Sequence, residues 1–440
     1  MNMQGIFAIL SLCFVASQAE PIFDVLKYGA LGDGHTDDSK AFVKAWEDVC
    51  DSTKGNPTLL VPKRRTFVLQ PTVFQGPCKS PSINFKIQGT ISAPKGVNDW
   101  KWSSNDKGSW LQFIYINRLV VNGGGVFDGQ GTPWWECFRK SRCQRPRAIS
   151  FHACPELRIN KVKVINTPSS HININGCNGS VISNIHLLAP NDSPNTDGLG
   201  ISGSSHVTIR DSTMEVGDDC VVINGGSHMN ISGVFCGPGH GISIGSLGSG
   251  GTYGAVEEIH VRNCTFTRSS SGARIKTWEG GFGYVRKVTY EDIILEDVQH
   301  PVLITQHYNI SLTDNKKAIK ISDITYRNFR GTSAFEEAVK LECDNVVGCT
   351  NLVLDDIKIT SSNPKMKTRA TCTNAHGKSS ASNIPQVSCL LKWKKFDLAA
   401  GFTQTYKRKV KEKQGLEQKE VTGSGHYPKG PGYQGLAMIL

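Results

Sequence analysis

Four short polar clusters interrupt an otherwise apolar alternation in the middle of this 440-residue chain: Asn195-Thr196-Asp197, Gly217-Asp218-Asp219-Cys220, Gly239-His240-Gly241 and Arg274-Ile275-Lys276. Asp197 and Asp218 are 21 residues apart, and so are Asp219 and His240. Arg274 and Lys276, two apart, fall on one face of a strand. Three carboxylates held together cannot all ionise freely, because like charges raise one another's pKa and leave a protonated acid beside ionised bases. Glycoside hydrolysis needs that pairing: one carboxylic acid protonates the leaving oxygen while another carboxylate activates water or attacks carbon. Taken singly, each cluster has an ordinary reading. Asp and Asn cap turns, a His between glycines occupies a turn, and Arg with Lys on a strand faces solvent. The joint spacing is what singles them out. Residues 237–241 (Gly-Pro-Gly-His-Gly) are not followed by a helix pattern or by Lys-Ser/Thr, so they make a weak case for a phosphate loop. No Cys/His spacing marks a zinc site.

A scaffold that stacks such residues at one-turn intervals is visible around them. Short apolar alternations recur, each with a polar or small residue at the same place: Asn184, Asp211, Gly233, Asn263, Asp292, Asp323 and Asp356, at intervals of 22 to 33 residues. That period fits a coil whose turns each hold several short strands and variable loops. No leucine skeleton or propeller blade signature accompanies it. The reading is all-β, a solenoid whose turns stack at about 4.8 Å and whose ends need caps. One cap is legible: Ala41, Phe42, Ala45, Trp46, Val49 and Cys50 form a helical stripe after the start signal Asp37-Asp38-Ser39.

With 38% hydrophobic and 20% charged residues, the chain has the balance of a folded protein with one large core. Residues 1–19 read as a signal peptide ending at Ser17-Gln18-Ala19, 20–393 as the coil, and 394–440 as a basic, disordered tail. The tail holds nine Lys/Arg against four Asp/Glu, so much of the net charge of +11 resides there. A polyanionic partner and simple solubility both fit that charge. No segment is apolar enough to span a membrane. The 14 cysteines suit an oxidising compartment, with Cys137/Cys143 and Cys343/Cys349 as short-range pairs and Cys177 and Cys264 as core residues. Sequons occur at Asn178, Asn191, Asn230, Asn263 and Asn309; Asn263, inside a strand-like run, and Asn191 and Asn309, beside the clusters, are expected to be less used.

The order of the clusters, with Tyr308 following, resembles the polygalacturonases, glycoside hydrolase family 28, in their plant branch. Phe23-Asp24-Val25, Tyr28-Gly29-Ala30, the Gly-rich run 123–131 and Trp134-Trp135 extend the likeness, which runs to about Leu391. The resemblance implies a right-handed, single-stranded parallel β-helix of the pectin-lyase-like kind and a metal-free, inverting hydrolysis of 1,4-α-galacturonosyl linkages. It implies Asp218 as general acid, Asp197 and Asp219 holding and deprotonating water, and His240 tuning the acid. Asn195, Arg274, Lys276 and Tyr308 would contact substrate, and a Cys220–Cys236 disulfide would brace the site. The implied partner is pectic polysaccharide, not nucleic acid, met by a secreted monomer in the cell wall. Thr305 and Asn309 stand where plant relatives usually carry Asp and Cys. Two other readings stay open: a hydrolase of rhamnogalacturonan or xylogalacturonan, and a catalytically silent wall-binding protein.

Overall fold

Apolar alternation becomes parallel pairing throughout the computed structural model, which describes residues 20–102, 107–308 and 317–393. The signal peptide, the basic tail and the Asn309 sequon lie outside those residues. Every pairing between the strands is parallel; one sheet has 11 strands and the other has 20. Successive turns lie in register. Ile209 pairs with Ile231, then Val261, Tyr290, Tyr326 and Leu354, a column at most 1% exposed that fills the interior of the coil. The architecture is the right-handed parallel β-helix expected, and stacking buries each turn against its neighbours.

The repeating markers prove to be corners. Asn184, Asp211, Gly233, Asn263, Asp292, Asp323 and Asp356 all have φ between 50° and 62°. Gly, Asn and Asp are the residues that enter this left-handed region at least cost. At this column the 20-stranded sheet bends, so the long strand Tyr253–Thr267 and its neighbours wrap two sides of the coil. The sequon at Asn263 is therefore exposed at a corner and not enclosed in a flat strand.

The cap forms where its stripe placed it. Helix α1 (Ser39–Asp51) buries all six stripe residues. Trp46 packs edge-on against Phe74 at 5.4 Å and Phe113 at 6.3 Å, over an aromatic ladder of Phe74, Phe113 and Phe151 stacked 4.9 and 5.0 Å apart. Asp38, at the N-cap, turns its carboxylate away from the helix to accept from Leu31 N and Gly32 N, and Asp37 accepts from Ser39 N instead. Helix α2 (Thr132–Ser141) leaves the coil after the Gly-rich run.

Among the described residues, five disulfides join Cys50–Cys78, Cys137–Cys143, Cys220–Cys236, Cys343–Cys349 and Cys372–Cys389. Cys154, Cys177 and Cys264 are free and buried.

Candidate active site

The four clusters come together on one side of the coil, at the entries to adjacent strands of the 11-stranded sheet. Asp197 precedes the strand Leu199–Ser202, Asp218 and Asp219 precede Val221–Ile223, and His240 precedes Ile242–Leu247; these strands pair in sequence. Arg274 and Lys276 lie in the next strand, Ser271–Thr277.

Backbone contacts lock the turns together. His240 N donates to Asp218 O at 2.7 Å, and Gly217 N donates to Thr196 Oγ1 at 2.9 Å. A Cβ at Gly217 would meet Ser193 O at 2.1 Å, and one at Gly241 (φ 80°) would meet the carbonyls of Ser271 and Gly272 at 2.3 Å. These two clusters thus need glycine beside their functional side chains. The Cys220–Cys236 bridge ties the turn carrying Asp219 to the next, as the resemblance implied.

Asp219, 1% exposed, is the anchor. Its Oδ1 accepts from Ser243 Oγ at 2.6 Å and from Arg274 Nη2, while Oδ2 accepts from Lys276 Nζ at 2.8 Å. Arg274 Nε also donates to Ser243 Oγ at 2.8 Å. Asp218 sits nearer the surface. Its Oδ1 contacts His240 Nδ1 at 2.8 Å and accepts from Asp219 N at 2.9 Å, and its Oδ2 accepts from Asn195 Nδ2 at 3.3 Å. The backbone oxygen of Asp197 accepts from both N and Nδ1 of His171, at 2.8 and 3.0 Å. Lys276 Nζ lies 5.1 Å over the ring of Tyr308, which is 46% exposed.

These surroundings separate the carboxylates. Burial, then the charges of Asp218 and Asp219, raise Asp197 well above the ordinary aspartate range, against the opposing pull of Lys276 and Arg274. Burial also pushes Asp218 upward, but its hydrogen bond to His240, the charges of His240 and Lys276 and the Asp219 N–H outweigh it, and the net shift is downward. Burial lowers His171 to about 4. A neutral imidazole with its proton on Nδ1 suits its carbonyl partner.

The sequence profile of Glycosyl hydrolases family 28 matches residues 50–383. The chain belongs to this family. A probable polygalacturonase of Arabidopsis thaliana is 43% identical over 385 residues, 86% of this chain and 82% of that protein. Polygalacturonase-2 of Solanum lycopersicum is 35% identical over 364 residues, 81% and 78% of the two chains. Among solved structures, an endo-xylogalacturonan hydrolase from Aspergillus tubingensis superposes with a TM-score of 0.69 at 22% identity, covering 85% of this chain and 99% of that one. A polygalacturonase from Erwinia carotovora gives 0.66 at 19%, covering 81% and 96%. The structural likenesses carry the fold, and membership makes the protein a glycoside hydrolase.

The family 28 chain brings together all eight residues singled out in its sequence. Arg274 and Lys276, 9% and 5% exposed, both engage Asp219, and Arg274 also engages Ser243. Ser243 escaped the sequence reading. Its signal was register: it pairs directly with Arg274 and points to the same face. His171 had the same register signal, since it precedes Ile172, the partner of Leu199, by one residue; Arg145 left no comparable trace. Asp218, Asp219 and His240 offer ligand atoms within 4.8 Å of one another, the spacing of a metal site. Arg274 and Lys276 already occupy the Asp219 oxygens, and their two positive charges oppose a further cation there.

Proposed function

We propose that this family 28 hydrolase cleaves the 1,4-α-galacturonosyl linkages of pectic homogalacturonan with inversion, as a secreted monomer acting in the cell wall. The observation that carries the mechanism is the meeting of Asp218 with His240, whose Nδ1 lies 2.8 Å from the Asp218 carboxylate, beside the raised Asp197 and the braced Asp219. A base is most effective when its pKa is raised toward the working pH, and Asp197 is the carboxylate raised. It takes a proton from water, whose oxygen attacks the anomeric carbon. Asp218 and His240 share a proton across a 2.8 Å contact, and Asp218 passes it to the departing glycosidic oxygen. Asp219, braced by Arg274 and Lys276, helps hold the water.

The substrate assignment draws on the relatives named as polygalacturonases and on the cations beside the acids. Lys276 has three donors and gives one to Asp219, so it can also meet a sugar carboxylate, with Tyr308 lining the cleft beside it. Release of reducing ends from polygalacturonic acid is the test, with Asp218→Asn as control. The variant is expected to lose about 10²- to 10⁴-fold in kcat, the range of general acid catalysis. Full activity in Asp218→Asn would remove Asp218 from the proton path. A folded wild type inert on polygalacturonate would remove the substrate.

A further inference from the structure

One cation reaches the carboxylates from outside the stacked clusters. Arg145 lies between α2 and the strand Arg147–His152, and four contacts fix its guanidinium. Its Nη2 donates to Asn195 Oδ1 at 2.7 Å. Its Nη1 donates to Pro168 O at 3.0 Å and to Pro194 O. Its Cζ stands 3.9 Å over the ring of Phe138 in α2. Because Arg145 takes the Asn195 oxygen, the Asn195 amide must turn its nitrogen to Asp218 Oδ2. Asn195 is itself at a left-handed backbone position, φ 50°, where a short polar side chain is favoured.

Among the described residues no carboxylate lies within ion-pair distance of Arg145, so its charge acts at longer range. Burial lowers its own pKa, and the two acids that counter this are Asp197 and Asp218. Its donors go to two carbonyls and an amide and its face is stacked. This is the arrangement of a group that fixes others, not of one open to a sugar.

We propose that Arg145 is a positioning residue for the hydrolysis: through the Asn195 amide it orients Asp218 for proton delivery, and its charge favours the ionised form of Asp197. The inference rests on the roles given to those two aspartates.

The test compares Arg145→Gln, Arg145→Lys and Asn195→Ala on polygalacturonate, following kcat, KM and the pH profile, with folding checked by circular dichroism and Tm. Arg145→Gln is expected to lose about 10- to 100-fold in kcat, the scale of a small misplacement of a reacting group. Its KM should stay within about 3-fold, and its acid limb should move to higher pH, because removing a positive charge favours protonated Asp197. Arg145→Lys should keep the acid limb in place and still lose kcat, since an ammonium cannot reproduce the fork that holds Asn195. The double variant Arg145→Gln/Asn195→Ala should be little slower than the worse single one. A folded Arg145→Gln with wild-type kcat and profile overturns the inference, as does a change confined to KM, which would make Arg145 a substrate contact. If Arg145→Gln does not fold, Arg145→Lys decides by the same kcat criterion. Should the wild type be inactive on pectic polymers, the functional reading fails by itself. Titration of ¹³Cγ-labelled aspartates by NMR then tests Arg145 alone: an upward move of Asp197 in Arg145→Gln supports it, and an unmoved Asp197 overturns it.

Discussion

Asp197 is poised by the same burial and crowding that make its ionised form unfavourable in the folded chain. Its folded pKa lies above its unfolded value. Its contribution to stability is therefore fully present below the ordinary aspartate range and is lost as pH rises through the raised value. Asp218 runs the other way: with its folded pKa lowered, its contribution is present above the ordinary value and lost as pH falls through the lowered one. Asp197→Asn, which mimics the protonated form, is expected to be inactive yet more stable near neutral pH, by on the order of 1 kcal/mol, with no gain in acid. Thermal melts at the two pH values check this, and a lower Tm at neutral pH would contradict the burial account. At this scale the sequence disclosed residues that break an apolar pattern: Asp197, Asp218, Asp219, His240, Arg274 and Lys276. It did not disclose Arg145, whose partner Asn195 lies 50 residues away, or His171, which stands one turn of the coil before Asp197 but breaks no apolar pattern.

Corners are the element-scale device that makes the pattern periodic. Asn263, at φ 50° and exposed, is replaceable by Gly at little cost, whereas Ala there should lose about 1 kcal/mol, the penalty for a Cβ in the left-handed region. Urea melts of the two variants give the comparison, and equal midpoints would count against the corner explanation. The markers were visible as a repeat before their backbone geometry was known, because Asn, Asp and Gly are the types that geometry admits. What the spacing did not disclose was the bend itself. An unbroken run such as Tyr253–Thr267 reads as one strand, and only its positive φ at Asn263 divides it. Likewise, Asp37-Asp38-Ser39 marked where α1 begins, but the Asp38 side chain is drawn off by Leu31 N and Gly32 N in the preceding loop, a competition that no capping pattern records.

For the whole molecule, the parallel coil was legible because the unit repeats, and the capping helix was legible because its apolar stripe has another period. A stack of turns is only as secure as its ends, where a core column would otherwise meet water. Trp46→Ala, which uncovers Phe74 and Phe113, is expected to cost about 3 to 5 kcal/mol. Hydrogen exchange should show the loss concentrated in the first turns, far from Asp218; uniform loss along the coil would mean that the cap stabilises all turns at once. The corner column has a further consequence for how such an enzyme can diversify. Intervals between corners range from 22 to 33 residues, yet the strands on either side stay in register. Insertions are absorbed outside the strands, so the rim of the cleft can be rebuilt turn by turn while the carboxylates keep their stacking, and new substrate preference can be acquired without reinventing the chemistry.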